Sequence, residues 1–263
     1  MSNDSIKKTV LVALGVCLVC SLLVSTAAVK LFPLQEHNRM IDKVKNILVA
    51  GELYSEGTDI AKTYEEKIES EIIELATGDF VSKEKYDDLL NVDNFDITTL
   101  ANHPKYGRSI PQPKDLADIK VSPKYMLVYF VKKDEKINRI ILPVYGKGLW
   151  STMYAFLALD KDLKTVTGVT FYEHGETPGL GGEIENPRWN KLWKGKEVFD
   201  INNNLQLEII KGTVDRNRPE ASYQIDGLSG ATITARGVDK MLKFWFGEDG
   251  YAPFLNKMRE EIK

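Results

Sequence analysis

The chain has 263 residues, 43% of them apolar and 28% charged, enough to bury a sizeable core in one or two domains. That balance excludes a wholly disordered or collagen-like chain, and a complement of two cysteines excludes a disulfide-built one. Thirty-five basic against 38 acidic side chains leave a net charge of -3, with no cationic surplus to draw nucleic acid as a partner.

The run VLVALGVCLVCSLLVSTAAV at 10–29 holds twenty residues without a charge, and at 1.5 Å per residue a helix of that length crosses about 30 Å of hydrocarbon. Residues 10–31 are therefore expected to form a single transmembrane helix behind a short amino-terminal segment, 1–9. A cleaved signal peptide is the rival reading, with Lys7 and Lys8 as its basic start and Ser25, Thr26, Ala27 and Ala28 as small residues near a cleavage point. Its apolar core would exceed the usual limit of roughly 15 residues, which favours the anchor. Lysines and arginines stand on both sides of the run, so charge alone does not orient it. Cys17 and Cys20 lie three apart on this helix and read as small apolar packing residues rather than as a metal pair.

After Pro33, Met40, Ile41, Val44, Ile47 and Leu48 recur at helical spacing, and so do Ile60, Tyr64, Ile68, Ile72 and Leu75. Two amphipathic helices packed on a core are expected. The stretch 82–118 mixes Pro, Asn and Asp and reads as loop with one short helix at 86–90. Runs of β-branched and aromatic residues at 125–131, 137–144, 154–159, 166–172 and 205–212 predict a mainly antiparallel sheet. Val238, Met241, Leu242 and Trp245 share one helical face, and a last helix is expected at 255–262. The fold class is α+β, one extramembrane domain on one anchor, with a helical and loop region at 32–120 followed by the main domain at 121–263.

The densest chemical signal is Asp226-Gly227-Leu228-Ser229-Gly230-Ala231-Thr232-Ile233-Thr234, small residues at the start of the helix that runs to about Phe246. Glycines allow close approach of backbone, and the first free N–H groups of a helix favour an anion such as a phosphate. The plain alternative is that Ser229 or Thr232 caps the helix. A hydrolase reading notes that Gly227-Leu228-Ser229-Gly230-Ala231 falls one glycine short of a Gly-x-Ser-x-Gly nucleophile elbow. The preceding polar turn, 216–220, and the lack of an evident base among His37, His103 and His174 argue against it.

The same segment resembles the flavinylation motif of FMN-binding domains, and the resemblance implies FMN esterified through its phosphate to Thr232 by a separate flavin transferase. Thr234 falls outside the motif. Two further segments are similar to the NqrC family of sodium-translocating NADH:quinone oxidoreductases: Gly146-Lys147-Gly148-Leu149-Trp150-Ser151-Thr152-Met153-Tyr154, and 171–184, with Glu176-Thr177-Pro178-Gly179-Leu180-Gly181-Gly182-Glu183 at its centre. Likeness to that family covers the anchor and roughly 125–246 and is faint over 82–118. By motif position it implies cofactor contacts from Asp226, Ser229, Gly230, Ala231, Gly148, Trp150, Glu176, Thr177, Gly179, Leu180 and Gly181, with no metal site and no catalytic side chain. A sister family, RnfG of the ferredoxin-oxidising Rnf complex, shares the anchor, a Glu-Thr-Pro-Gly-Leu-Gly stretch and the Ser-Gly-Ala-Thr site, but Gly148-Leu149-Trp150-Ser151-Thr152-Met153-Tyr154 and Gly179-Leu180-Gly181-Gly182-Glu183 resemble NqrC more.

The resemblance further implies a bacterial inner-membrane protein with its amino end in the cytoplasm and its flavin domain in the periplasm. Its partners would be the other members of a complex of six subunits, NqrB, NqrD and NqrE above all, and the flavin transferase during maturation. Electrons would pass from an iron-sulfur centre through the covalent FMN to the FMN of NqrB, in a complex that oxidises NADH, reduces quinone and exports sodium. No Gly-x-Gly-x-x-Gly follows a strand, so no dinucleotide site of its own is expected. The competing class is a membrane-tethered binding or scaffold module without flavin, in which Thr232 is only a helix cap.

Overall fold

The computed structural model describes residues 5–133 and 136–262. Residues 1–4 of the expected amino-terminal segment, and Asp134, Glu135 and Lys263 of the expected main domain, lie outside the described residues. The chain divides into two compact units, Met1–Lys43 and Val44–Lys263.

Helix α1 (Ile6–Ala50) contains the uncharged run and Pro33. Its most apolar window has a mean hydropathy of 2.5, long and apolar enough to cross a membrane. The separation expected at Pro33 is absent, and the anchor and the first amphipathic segment form one helix. Pro33 lies inside this helix and takes one N–H from its hydrogen-bond ladder. Within the second unit the helix ends by burying Ile47, Leu48 and Ala50. There the Arg139 guanidinium donates to the Gly51 carbonyl at 2.8 Å and to Glu52 Oε2 at 2.7 Å.

The second expected helix is only half present. Helix α2 (Ile60–Lys67), capped by Asp59 Oδ1 accepting from Lys62 N, stops where β1 (Ile68–Glu74) begins. Ile68, Ile72 and Leu75 fit a helical stripe, yet the isoleucine-rich run pairs antiparallel with β4 (Tyr125–Lys133), Ile72 opposite Leu127. Pairing with a buried apolar strand outweighs a period that fits both states. The region 82–118 forms one 3-10 turn at Lys83–Lys85, helix α3 (Ile97–Asn102) and strand β2 (Gly107–Ser109), which pairs with β3 (Val121–Pro123). The helix expected at 86–90 is replaced by a turn in which Asp87 Oδ1 accepts from the Leu89 and Leu90 N–H groups.

Strands β4 (Tyr125–Lys133), β5 (Lys136–Lys147), β6 (Thr152–Asp160) and β7 (Val166–Glu173) follow the expected runs. With β1 they form a five-stranded antiparallel sheet in the order β1-β4-β5-β6-β7. Pro143 is tolerated in this central strand because the recorded β4–β5 pairing begins at Tyr129 opposite Ile141, short of the proline. The Pro143 carbonyl accepts from Tyr251 Oη at 2.6 Å.

A short helix α4 (Pro187–Asn190) leads to β8 (Glu208–Ile209), all that remains of the strand expected at 205–212. It pairs parallel with β9 (Gln224–Ile225), just before the glycine-rich segment. Helix α5 (Thr232–Trp245) then packs on β5, its Met241 against Gly146 and its Trp245 indole donating to the Tyr145 carbonyl at 2.6 Å. Helix α6 (Ala252–Ile262) closes the chain. The α+β reading holds: one apolar amino-terminal helix and a mainly antiparallel sheet with flanking helices.

Candidate functional site

The start of α5 is held by what precedes it. Ile210 N donates to the Ile225 carbonyl at 3.0 Å and Gly227 N to the Gly212 carbonyl at 2.8 Å, so 209–213 runs beside 225–230. A side chain at Gly227 would drive into the Ile210 carbonyl, which is why a glycine stands there. Asp226 closes the same turn: its Oδ1 accepts from Val214 N at 2.8 Å, and its carbonyl accepts from the Trp189 indole at 2.8 Å. Its carboxylate shapes the loop in front of the helix.

The N-cap residue of α5 is Ala231, buried, and no side chain caps the helix. Neither Ser229 nor Thr232 does what the plain capping reading requires. Both are exposed, Thr232 at the first helical position and Ser229 in the turn before it. Gly230 between them has φ +74°, a left-handed conformation glycine adopts without strain. The first turn thus keeps its unpaired N–H groups and the positive end of its dipole beside an exposed hydroxyl, a fit for a phosphoester. Thr234 is different: it is buried and its Oγ1 donates to Glu176 Oε2 at 2.6 Å.

Glu176 brings the three expected motifs together. The residue is 4% exposed. Oε1 accepts from Trp150 N at 2.9 Å and Ser151 N at 3.1 Å, and Oε2 accepts from Leu149 N at 3.1 Å as well as from Thr234. Burial pushes the Glu176 carboxyl toward protonation, but the Thr234 hydroxyl and the N–H groups of Trp150, Ser151 and Leu149 outweigh it and hold its pKa below the usual range. Gly148 and Gly181 enclose it, since a Cβ on the first would come within 2.6 Å of Oε1 and on the second within 2.8 Å of Oε2. Glu176, Gly148 and Gly181 therefore stand behind the exposed groups. Thr177, Gly179 and Leu180 stand in front, exposed, with Gly179 at φ +74°.

Leu149, Trp150, Leu180 and Ile233 are exposed apolar side chains in these segments, Trp150 at 66%. Leu180 reaches the Gly230 turn, since a Cβ on Gly230 would lie 3.1 Å from its Cδ2. A groove of about 440 Å³ runs past Thr232, lined by Ile209 to Thr213, Gly227 to Gly230, Ala235 and Arg236. Lys211 and Arg236, both exposed, supply cations to it. Sequence reasoning missed both. Arg236 was legible in principle, four residues after Thr232 and so on the same helical face. Lys211 was not, because only the β8–β9 pairing brings it to the site.

No histidine lines this groove, and His174 is turned to Glu185, its Nε2 2.8 Å from Oε1, while its Nδ1 accepts from Glu176 N. Ser229 thus has no histidine base in the groove, against the triad form of the hydrolase reading. Among the described residues no cluster of three or more His, Cys, Asp or Glu could hold a metal.

The family model for the FMN-binding domain matches residues 148–247. The NqrC protein of Na(+)-translocating NADH-quinone reductase from Pseudomonas aeruginosa is 44% identical over 262 residues, covering 98% of both chains. Its namesake from Vibrio campbellii is 44% identical over 260 residues, covering 98% of this chain and 97% of its own. Among solved structures, that of Shewanella oneidensis NqrC superposes with a TM-score of 0.75 at 34% identity, over 84% of this chain and 98% of that one. The corresponding protein from Parabacteroides distasonis superposes with a TM-score of 0.63 at 26% identity, over 84% of this chain and 95% of that one.

Proposed function

Since the chain belongs to the NqrC family of Na(+)-translocating NADH-quinone reductases, components of an oxidoreductase complex with an FMN-binding domain, we propose that it carries FMN as a phosphoester on Thr232. The observation that carries this reading is the exposed Thr232 hydroxyl at the uncapped start of α5, beside a groove with Lys211 and Arg236. Bound there, FMN supplies a one-electron carrier between an iron-sulfur centre and the FMN of NqrB, within NADH oxidation, quinone reduction and sodium export.

The chain's own part is binding and orientation. A flavin transferase would join Thr232 Oγ to the FMN phosphorus of FAD as the pyrophosphate bond breaks and AMP leaves, with the hydroxyl proton passing to the transferase. The first-turn N–H groups, Lys211 and Arg236 hold the resulting phosphodiester charge. Gly230 lets the backbone approach, and Leu149, Trp150 and Leu180 offer apolar cover for a ring. Asp226, Glu176, Gly148 and Gly181 support these groups from behind, and Ser229, Ala231, Thr177 and Gly179 shape the two turns in front.

The long apolar helix supports a membrane anchor. The family reading adds a bacterial inner membrane, a cytoplasmic amino end, a periplasmic flavin domain, and NqrB, NqrD and NqrE as neighbours. In this reading 121–263 carries the flavin on a sheet that β1 completes.

Intact mass and peptide mapping of the full chain, expressed with and without a flavin transferase, test the central claim. A gain of about 438 Da on the Thr232 peptide, present only with the transferase, establishes the covalent flavoprotein. No gain with an active transferase returns the chain to a membrane-tethered module without flavin.

A further inference from the structure

We propose that Glu176 is a positioning residue for the flavin: its carboxylate ties the Trp150 turn to the first turn of α5 and so sets where the exposed surface meets a group on Thr232. The inference rests on the flavin reading of Thr232.

Three segments far apart in sequence converge on this one side chain. The 148–151 turn gives it three backbone N–H groups, α5 gives it the Thr234 hydroxyl, and the 174–182 loop supplies the carboxylate itself. The loop is fixed in turn, since Gly175 N donates to Ser151 Oγ at 2.5 Å, and Leu180 and Gly182 N–H groups donate to the Thr177 carbonyl. Trp150 has a largely exposed indole. Its backbone is held at N by Glu176 and at O by Lys147 Nζ, 3.1 Å away.

The site is built for an anion. Four donors point at two oxygens, and only an ionised carboxylate offers that many acceptor positions. A glutamine has one acceptor oxygen, and its amide nitrogen would face donors already aimed at the other position. Burying a charge is a costly way to hold two turns together, and apolar packing would suffice for stability alone. What the carboxylate adds is direction. It fixes the Trp150 backbone relative to Thr234, and Thr234 lies on the same first turn as Thr232. The same hydrogen bond commits the Thr234 hydroxyl to Glu176 and leaves Thr232 as the free one.

The test uses the full-length chain co-expressed with a flavin transferase, as wild type, Glu176→Gln and Thr234→Val. Flavin mass on the Thr232 peptide is read beside the visible circular dichroism, the fluorescence of the bound flavin, and the thermal midpoint. The expected result is a mass gain on the Thr232 peptide in both variants, with flavin fluorescence changed about twofold in Glu176→Gln and less, in the same direction, in Thr234→Val. Flavin spectra unchanged in Glu176→Gln, whatever its thermal midpoint, overturn the inference and leave the flavin reading intact. If Glu176→Gln does not fold, Thr234→Val decides by the same spectra, because it removes only the link to α5. No mass gain in the wild type overturns the flavin reading and this inference with it.

Discussion

Thr232 and Thr234 sit on the same turn of α5, yet the front and the back of that turn are different environments. In front, Thr232 is exposed beside Ser229, Gly230, Lys211 and Arg236, with no side chain capping the helix. Behind, Thr234 is buried and bonded to a buried carboxylate that also takes three backbone N–H groups. The front leaves its hydrogen-bonding capacity free for a ligand, and the back commits its donors to Glu176. An α-helix puts residues two apart roughly 200° apart around its axis, so neighbouring hydroxyls face opposite ways.

The largest effect expected follows from that contrast. Thr232→Ala loses the flavin mass gain entirely, while Thr234→Val keeps it, as peptide mapping would show. Because Thr232 is exposed and caps nothing, its loss shifts unfolding in urea by no more than about 0.5 kcal/mol. Flavin found on Thr234 in the Thr232→Ala chain would break the distinction between front and back.

Gly181→Ala attacks the back. Its Cβ would lie 2.5 Å from Thr234 Oγ1 and 2.8 Å from Glu176 Oε2, and prising that pair apart costs about 1–3 kcal/mol in urea unfolding. A wild-type midpoint in this variant would mean that the bond is dispensable.

The back also carries a pH signature. The Glu176 pKa is held below its ordinary value in the folded chain, so its contribution to stability is complete above the ordinary carboxyl range near ~4.3. It is lost as the pH falls from there through the lowered folded value. Unfolding measured from pH 7 to pH 3 should therefore be less steeply acid-sensitive in Glu176→Gln than in the wild type. Equal slopes would remove Glu176 as the source.

The smallest effect belongs to the front. Arg236→Gln, one turn along from Thr232, should slow modification by about two- to fivefold, equivalent to roughly 0.5–1 kcal/mol. The difference should shrink in high salt, as screening of an exposed cation requires. A salt-independent effect would point to packing instead.

Much of this was legible from residue patterns. Aromatic and β-branched runs between polar turns mark β4 to β7, and Val238, Met241, Leu242 and Trp245 mark the buried face of α5. The segment 226–234 marks the site by its small residues, and its resemblance to a flavinylation motif singles out Thr232 over Thr234. Strand β1 reads as helix because Ile68, Ile72 and Leu75 satisfy a helical period, and the partner that makes them a strand is more than fifty residues away. Parallel pairing of two-residue strands leaves no local trace either, so Lys211 could not be placed beside Thr232.

The linear order of residues was enough to identify the apolar anchor, the four long strands, the glycine-rich helix start and the family. Each depends on near neighbours, through local period, backbone freedom or contiguous motif, and such relations survive in an unfolded string. The assembled fold was needed to establish that α5 has no side-chain cap, that Asp226 serves its own turn, and that Glu176 faces inward to bind Thr234. Those outcomes depend on which donors reach which acceptors across distant segments, and a buried carboxylate takes its partners from whatever the fold brings within about 3 Å.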